Sequence, residues 1–148
     1  GFPEGHPETQ NRITEMDHLK RKVDEGADYI CTQLFFDNHS FLDFRDRCEL
    51  AGITVPVIAG IMPITSSSGM LRIAELAAGV QFPAKLQQAL HGLAGNPEAF
   101  ATAGTEYATE QCRELIQEGV KGLHFYTLNK SKATRRIAEN LGLDFPPG

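Results

Sequence analysis

One arrangement recurs three times along the chain: an amphipathic helical stretch, a glycine, then a short apolar run rich in β-favouring residues. In the first copy "TEMDHLKRKVDE", residues 14–25, places Met16, Leu19 and Val23 on one helical face, with Thr14 as N-cap and Gly26 as the stop before "DYICTQLFF". In the second, Ser40 caps a helix carrying Phe41, Phe44 and Cys48 at helical spacing, and Gly52 ends it before "TVPVIAGIMPI". In the third, Ala108, Cys112, Leu115 and Ile116 share a face, and Gly119 precedes the strand "GLHFYTLN". Further helices are predicted near 67–78, 83–93 and 97–118, and a last one over about 131–141 ends at Gly142.

Helices alternating with apolar strands predict an α/β fold of βα units around a parallel sheet, because strands covered on both faces read as continuous apolar runs. A chain of 148 residues holds one such domain, residues 1–148, with its own core. No apolar run reaches the roughly eighteen residues of a membrane span, and no signal-peptide order opens the chain, so a cytoplasmic setting without membrane contact is expected. The net charge of −5 argues against general nucleic-acid binding. Cys31, Cys48 and Cys112 are odd in number and far apart, which suggests small core residues rather than a disulfide framework or zinc site.

In βα architectures ligands are met where the βα loops gather, at the C-terminal ends of the strands. Gln33 and Asp37 stand at such an end, within "DYICTQLFFDNHSF". An amide inside an apolar strand must find partners, which favours a ligand role for Gln33, whereas Asp37 is equally a helix cap. "AGIMPITSSSG" passes through Pro63 into a Ser-rich loop that is either an anion-facing helix start or a plain flexible loop. "FYTLNKS" ends its strand with Tyr126, Thr127, Asn129 and Lys130, and His124 and Tyr126 read as packing residues. Lys22 reads as a solvated helix residue and His6 as part of the irregular loop "GFPEGHPE".

In order and spacing, "FPEGHPE", "LKRKVDEGADYICTQLFFD", "FRDRC", "AGI", "PVIAGIMPI" and "HFYTLNKS" resemble the methylenetetrahydrofolate reductase family, from residue 2 to about 143. These flavin enzymes reduce 5,10-methylenetetrahydrofolate to 5-methyltetrahydrofolate with NAD(P)H. The resemblance implies a partial TIM (β/α)8 barrel, the latter half, in which three parallel strands with their helices stand for strands six to eight and FAD lies across the strand ends. A whole barrel takes about 250 residues, so the chain is either a fragment or the partner of a missing N-terminal barrel half.

Residue by residue, the resemblance places Phe2 beside the flavin, where the family has a tyrosine, and makes His6 and Lys22 FAD contacts. It gives Gln33 to the folate and nicotinamide rings in turn, and Lys130 to the folate. Where the family can stack an aromatic on the substrate, this chain has Ile73. The family's general acid and its flavin-side aspartate have no counterpart, so no catalytic residue is assigned, and the chain alone is expected not to turn over. A homo-oligomer is expected. The alternative is a non-catalytic half-barrel module that binds a partner through its open sheet edge; another barrel enzyme taking a different phosphate-bearing ligand is the third reading.

Overall fold

The computed structural model describes residues 12–77, 79–126 and 131–142. Its elements run α1 (Arg12–Asp24), β1 (Ile30–Cys31), α2 (Asn38–Leu50), β2 (Val57–Ile61), α3 (Ser67–Leu76), α4 (Ala84–Leu90), α5 (Pro97–Gln117), β3 (Leu123–Phe125) and α6 (Ser131–Leu141). The strands form one sheet in the order β1-β2-β3. Both pairings are parallel, with Cys31 opposite Ile58 and Gly60 opposite His124. The described residues therefore show the α/β, three-stranded parallel arrangement expected of a partial barrel.

Strand side chains alternate between faces, and this separates a core from a site. Ile30, Val57, Ala59 and Ile61 join Phe41, Phe44 and Cys48 of α2, Ala108, Cys112 and Leu115 of α5, and Ile137 of α6 in one buried cluster. Phe35 and Phe41 are fully buried there with rings stacked at 5.2 Å, and burying each contributes roughly 1.5–3 kcal/mol. Cys31, Ile58, Gly60 and His124 alternate onto the opposite face of the sheet, and Gln33 follows just beyond the end of β1. A second cluster, including Phe36, Met62, Ile64, Ile73 and Leu86, packs α3 and α4 against the first half of α5.

Several local expectations are corrected. Asp37, not Ser40, caps α2: its extended backbone lets its carboxylate accept the His39 N–H at 2.9 Å, and Ser40 N–H already bonds the Asp37 carbonyl. Helix α1 begins at Arg12, which puts Thr14 inside it rather than at its cap. On α5 the inward contact is made by Leu115, and Ile116, about 100° around the helix, stays 44 % exposed. Cys48 and Cys112 are core residues as expected, and burial raises their thiols to about 11 and about 12. Cys31 is only half-buried and lies on the other face. Among the described residues no helix is long and apolar enough to cross a membrane.

Gly104 explains how α5 seats on the loop after β2. A glycine inside a helix is unfavourable relative to alanine by roughly 0.5–1 kcal/mol, yet a Cβ here would overlap the Ile64 carbonyl oxygen. Helix propensity and close approach thus give Gly104→Ala opposite signs. Contact is expected to win, with urea unfolding showing a loss of about 1–3 kcal/mol at unchanged m-value. Equal or greater stability would mean that α5 does not approach this closely.

Candidate functional site

At the C-terminal end of β1 the hydrogen-bond ladder changes partner. Ile30 N–H donates to the Pro56 carbonyl at 2.9 Å and Thr32 N–H to the Ile58 carbonyl at 3.0 Å. The next rung of a parallel ladder takes Gly60 N–H to the Thr32 carbonyl. Instead, Gly60 N–H donates to the Thr32 hydroxyl oxygen at 3.0 Å. The Thr32 carbonyl is left for the Tyr126 hydroxyl, which donates to it from β3 across β2, also at 3.0 Å.

Only glycine permits that crossing. A Cβ on residue 60 would stand 2.5 Å from the Thr32 carbonyl oxygen and 2.8 Å from the Tyr126 ring. The tyrosine is steadied from both neighbouring strands, since its N–H donates to the Ile61 carbonyl of β2 at 2.8 Å and its ring meets His124 of β3 edge-on at 4.6 Å. The Cys31 sulfur lies 3.9 Å from its hydroxyl. Burial first, then the Cys31 contact, raises the phenol to about 12.

Beyond Gln33 a second set of bonds takes over. Gln111 Nε2 donates to the Phe35 carbonyl at 2.8 Å, and the Tyr107 hydroxyl donates to the Phe36 carbonyl at 2.7 Å. Asn38 Nδ2 in turn donates to the Gln111 carbonyl at 3.1 Å. The backbone is therefore held by β3 just before Gln33 and by α5 just after it. Gln33 itself is half-buried, and its amide has no hydrogen bond among the described residues. Such an amide keeps both donors and an acceptor for a ligand without adding charge. A groove of about 650 Å³, walled by Asp37, His39, Lys85 and Glu106 among others, lies behind this segment between α2, α4 and α5; Gln33 is not one of its walls.

The remaining expected positions are dispersed. Lys22 is exposed in the last turn of α1, without an ion pair among the described residues. Ile73 is 3 % exposed inside the second core cluster, so it offers no surface for stacking on a ligand. Ser66 spends its hydroxyl on the Gly69 N–H at 2.9 Å, making it the N-cap of α3. Phe2, His6, Thr127, Asn129 and Lys130 lie outside the described residues. Among the described residues no cluster of His, Cys, Asp and Glu has the geometry of a metal site.

Thr32, Gly60, Tyr107, Gln111 and Tyr126 were not singled out by sequence as supports of Gln33. The one local signal was a hydroxyl residue directly before a strand-end glutamine, opposite a glycine in the neighbouring strand.

A raised phenol has a stability consequence of defined sign. The unfolded tyrosine ionises near 10 while the folded one holds its proton to about 12, so stability is fully present below pH 10 and falls as pH rises from there to about 12. In a tyrosinate absorbance titration of the native chain, Tyr126→Phe is expected to delete the ionisation near pH 12. Deletion of an ionisation near pH 10 would show that Tyr126 does not sit as described.

Parallel βα units, with a half-buried amide at a strand's C-terminal end that has no hydrogen bond among the described residues, define an α/β protein of the class whose ligand sites gather at the strand ends. Residues 1–142 match the family model described as "Methylenetetrahydrofolate reductase". The chain is 40 % identical over 152 residues to methylenetetrahydrofolate reductase (NADH) 1 of Arabidopsis thaliana, covering 97 % of this chain and 26 % of that protein. It is 41 % identical over 143 residues to methylenetetrahydrofolate reductase 1 of Schizosaccharomyces pombe, covering 97 % and 24 %. To the 5,10-methylenetetrahydrofolate reductase of Escherichia coli it is 40 % identical over 142 residues, covering 96 % and 48 %. The chain belongs to the methylenetetrahydrofolate reductase family and spans from about a quarter to about half the length of these relatives.

Proposed function

We propose that this chain is the latter part of a cytoplasmic, FAD-dependent barrel that reduces 5,10-methylenetetrahydrofolate to 5-methyltetrahydrofolate with NADH or NADPH as donor. The observation that carries the reading is the half-buried amide of Gln33, held at both backbone flanks and unpaired among the described residues, in a chain of this family. A folate pterin and a nicotinamide carboxamide both present adjacent donors and acceptors, and a primary amide can address either in turn. Bound FAD would supply hydride transfer between the two substrates.

The chain's own share of the reaction is binding and orientation. Gln33 fixes the ring that faces the flavin, and it moves no proton, because a primary amide does not titrate in the working range. Lys22 gives a mobile positive charge suited to a cofactor phosphate. Phe2 and His6 complete the FAD contacts, and Lys130 approaches the folate. The proton for the substrate nitrogen comes from the preceding barrel half, so residues 1–148 alone are inactive, and the working form is a homo-oligomer of the completed barrel.

The sheet favours one competing reading. Among the described residues β1 and β3 each lack an outer neighbour, and Tyr29 beside β1 is 58 % exposed, as a module that docks through its edge requires. Flavin absorbance and NAD(P)H oxidation dependent on methylenetetrahydrofolate, measured on the whole natural chain and on residues 1–148 alone, separate the two. Flavin and turnover in the first and neither in the second is the expected result. A colourless, inactive whole chain, with the 148-residue piece bound to a partner, would replace the reductase reading with the docking module.

A further inference from the structure

The residue that decides where Gln33 can point is not Gln33. The backbone unit joining Thr32 to Gln33 carries the carbonyl that Tyr126 holds, and its rotation would swing the Gln33 side chain about the strand axis. Three features make the hold specific. The Thr32 hydroxyl takes the Gly60 N–H and so removes the natural competitor for that carbonyl. The absence of a side chain at residue 60 opens the path for the ring. The Tyr126 backbone is itself anchored on β2 through the Ile61 carbonyl. Without the hydroxyl, the Thr32 carbonyl is free to return to Gly60 N–H in an ordinary rung, which turns the peptide that Gln33 continues.

We propose that Tyr126 is a positioning residue for Gln33: its hydroxyl, donating to the Thr32 carbonyl across Gly60, sets the orientation in which the Gln33 amide meets the substrate ring. The inference rests on the assignment of Gln33 to the folate and nicotinamide rings. Tyr126 acts on that orientation by its hold on the Thr32 carbonyl. Its effect passes through Gln33, which makes it measurable as non-additivity.

The test is a double-mutant cycle in the full reductase chain carrying this segment, using Tyr126→Phe, Gln33→Ala and the pair. Flavin reduction by NAD(P)H and flavin reoxidation by methylenetetrahydrofolate are followed separately, with melting temperature recorded for each variant. Tyr126→Phe is expected to lower efficiency about three- to tenfold, the size of one lost neutral hydrogen bond, in whichever half-reaction Gln33→Ala impairs. In the Gln33→Ala background the same change is expected to have no further effect. A structural role alone would lower the melting temperature in both backgrounds and leave the kinetic factors multiplicative.

Wild-type kinetics for Tyr126→Phe, or its full factor retained beside Gln33→Ala, would overturn the proposal while leaving Gln33 in place. If Gln33→Ala impaired neither half-reaction, its ligand assignment would fall and the positioning role with it. Should Tyr126→Phe not fold, Thr32→Val serves in its place: it returns Gly60 N–H to the Thr32 carbonyl and so displaces the tyrosine. The same non-additivity with Gln33→Ala is expected from it, and additivity would overturn the proposal equally.

Discussion

The exchange of partners at Thr32 is the interaction on which the rest of the site depends. A hydroxyl substitutes for a carbonyl in the strand ladder, and the released carbonyl is bound from two strands away. Each substitution is neutral in hydrogen-bond count, so no buried group is orphaned by the irregularity. What changes is geometry, because β1 stops pairing after Cys31 and the chain continues as a held segment with an amide at its centre. An ordinary rung at this point would have continued the strand and fixed Gln33 by ladder geometry alone.

The two flanking supports come from different elements, both downstream of Gln33 in sequence, and this explains why the site needs the whole of the described sheet. Tyr126 arrives from β3, while Tyr107 and Gln111 arrive from α5, which itself is seated by the close fit of Gly104 on Ile64. Residues 71 to 94 positions downstream of their acceptors thus define the strand end. Membership of the methylenetetrahydrofolate reductase family gives this geometry a chemical context, and the relatives it matches are longer than the chain.

Much of the framework was legible in sequence because it depends on periodicity. The three helix, glycine, strand copies, the stripes on α2 and α5, and glycine stops at positions 26, 52, 119 and 142, all with positive φ, follow from local rules that tertiary contacts did not override. Gln33 was legible for a related reason, as a polar group in an apolar run. The caps at Asp37 and the start of α1 were misplaced by part of a turn, since several cap-forming residues stand close together there and packing chooses among them. Ile73 illustrates a different limit: its place in the family motif pointed to the ligand, and its burial among Met62, Ile64 and Leu86 shows that apolar contact claims it instead. The Tyr126 crossing was beyond local reading altogether, because nothing in "HFYTLN" tells that its hydroxyl ends on a carbonyl 94 residues earlier.

Native-state hydrogen exchange at the Gly60 amide measures the exchanged rung most directly. A buried N–H held by Thr32 Oγ1 beneath the Tyr126 ring is expected to exchange only through large opening, with protection close to that of the Thr32 and Ile61 amides in the sheet. It is also expected to lose much of that protection in Tyr126→Phe. Exchange at Gly60 as fast as in the surface turns, or protection indifferent to the tyrosine hydroxyl, would contradict a strand end held by Thr32, Gly60 and Tyr126 together.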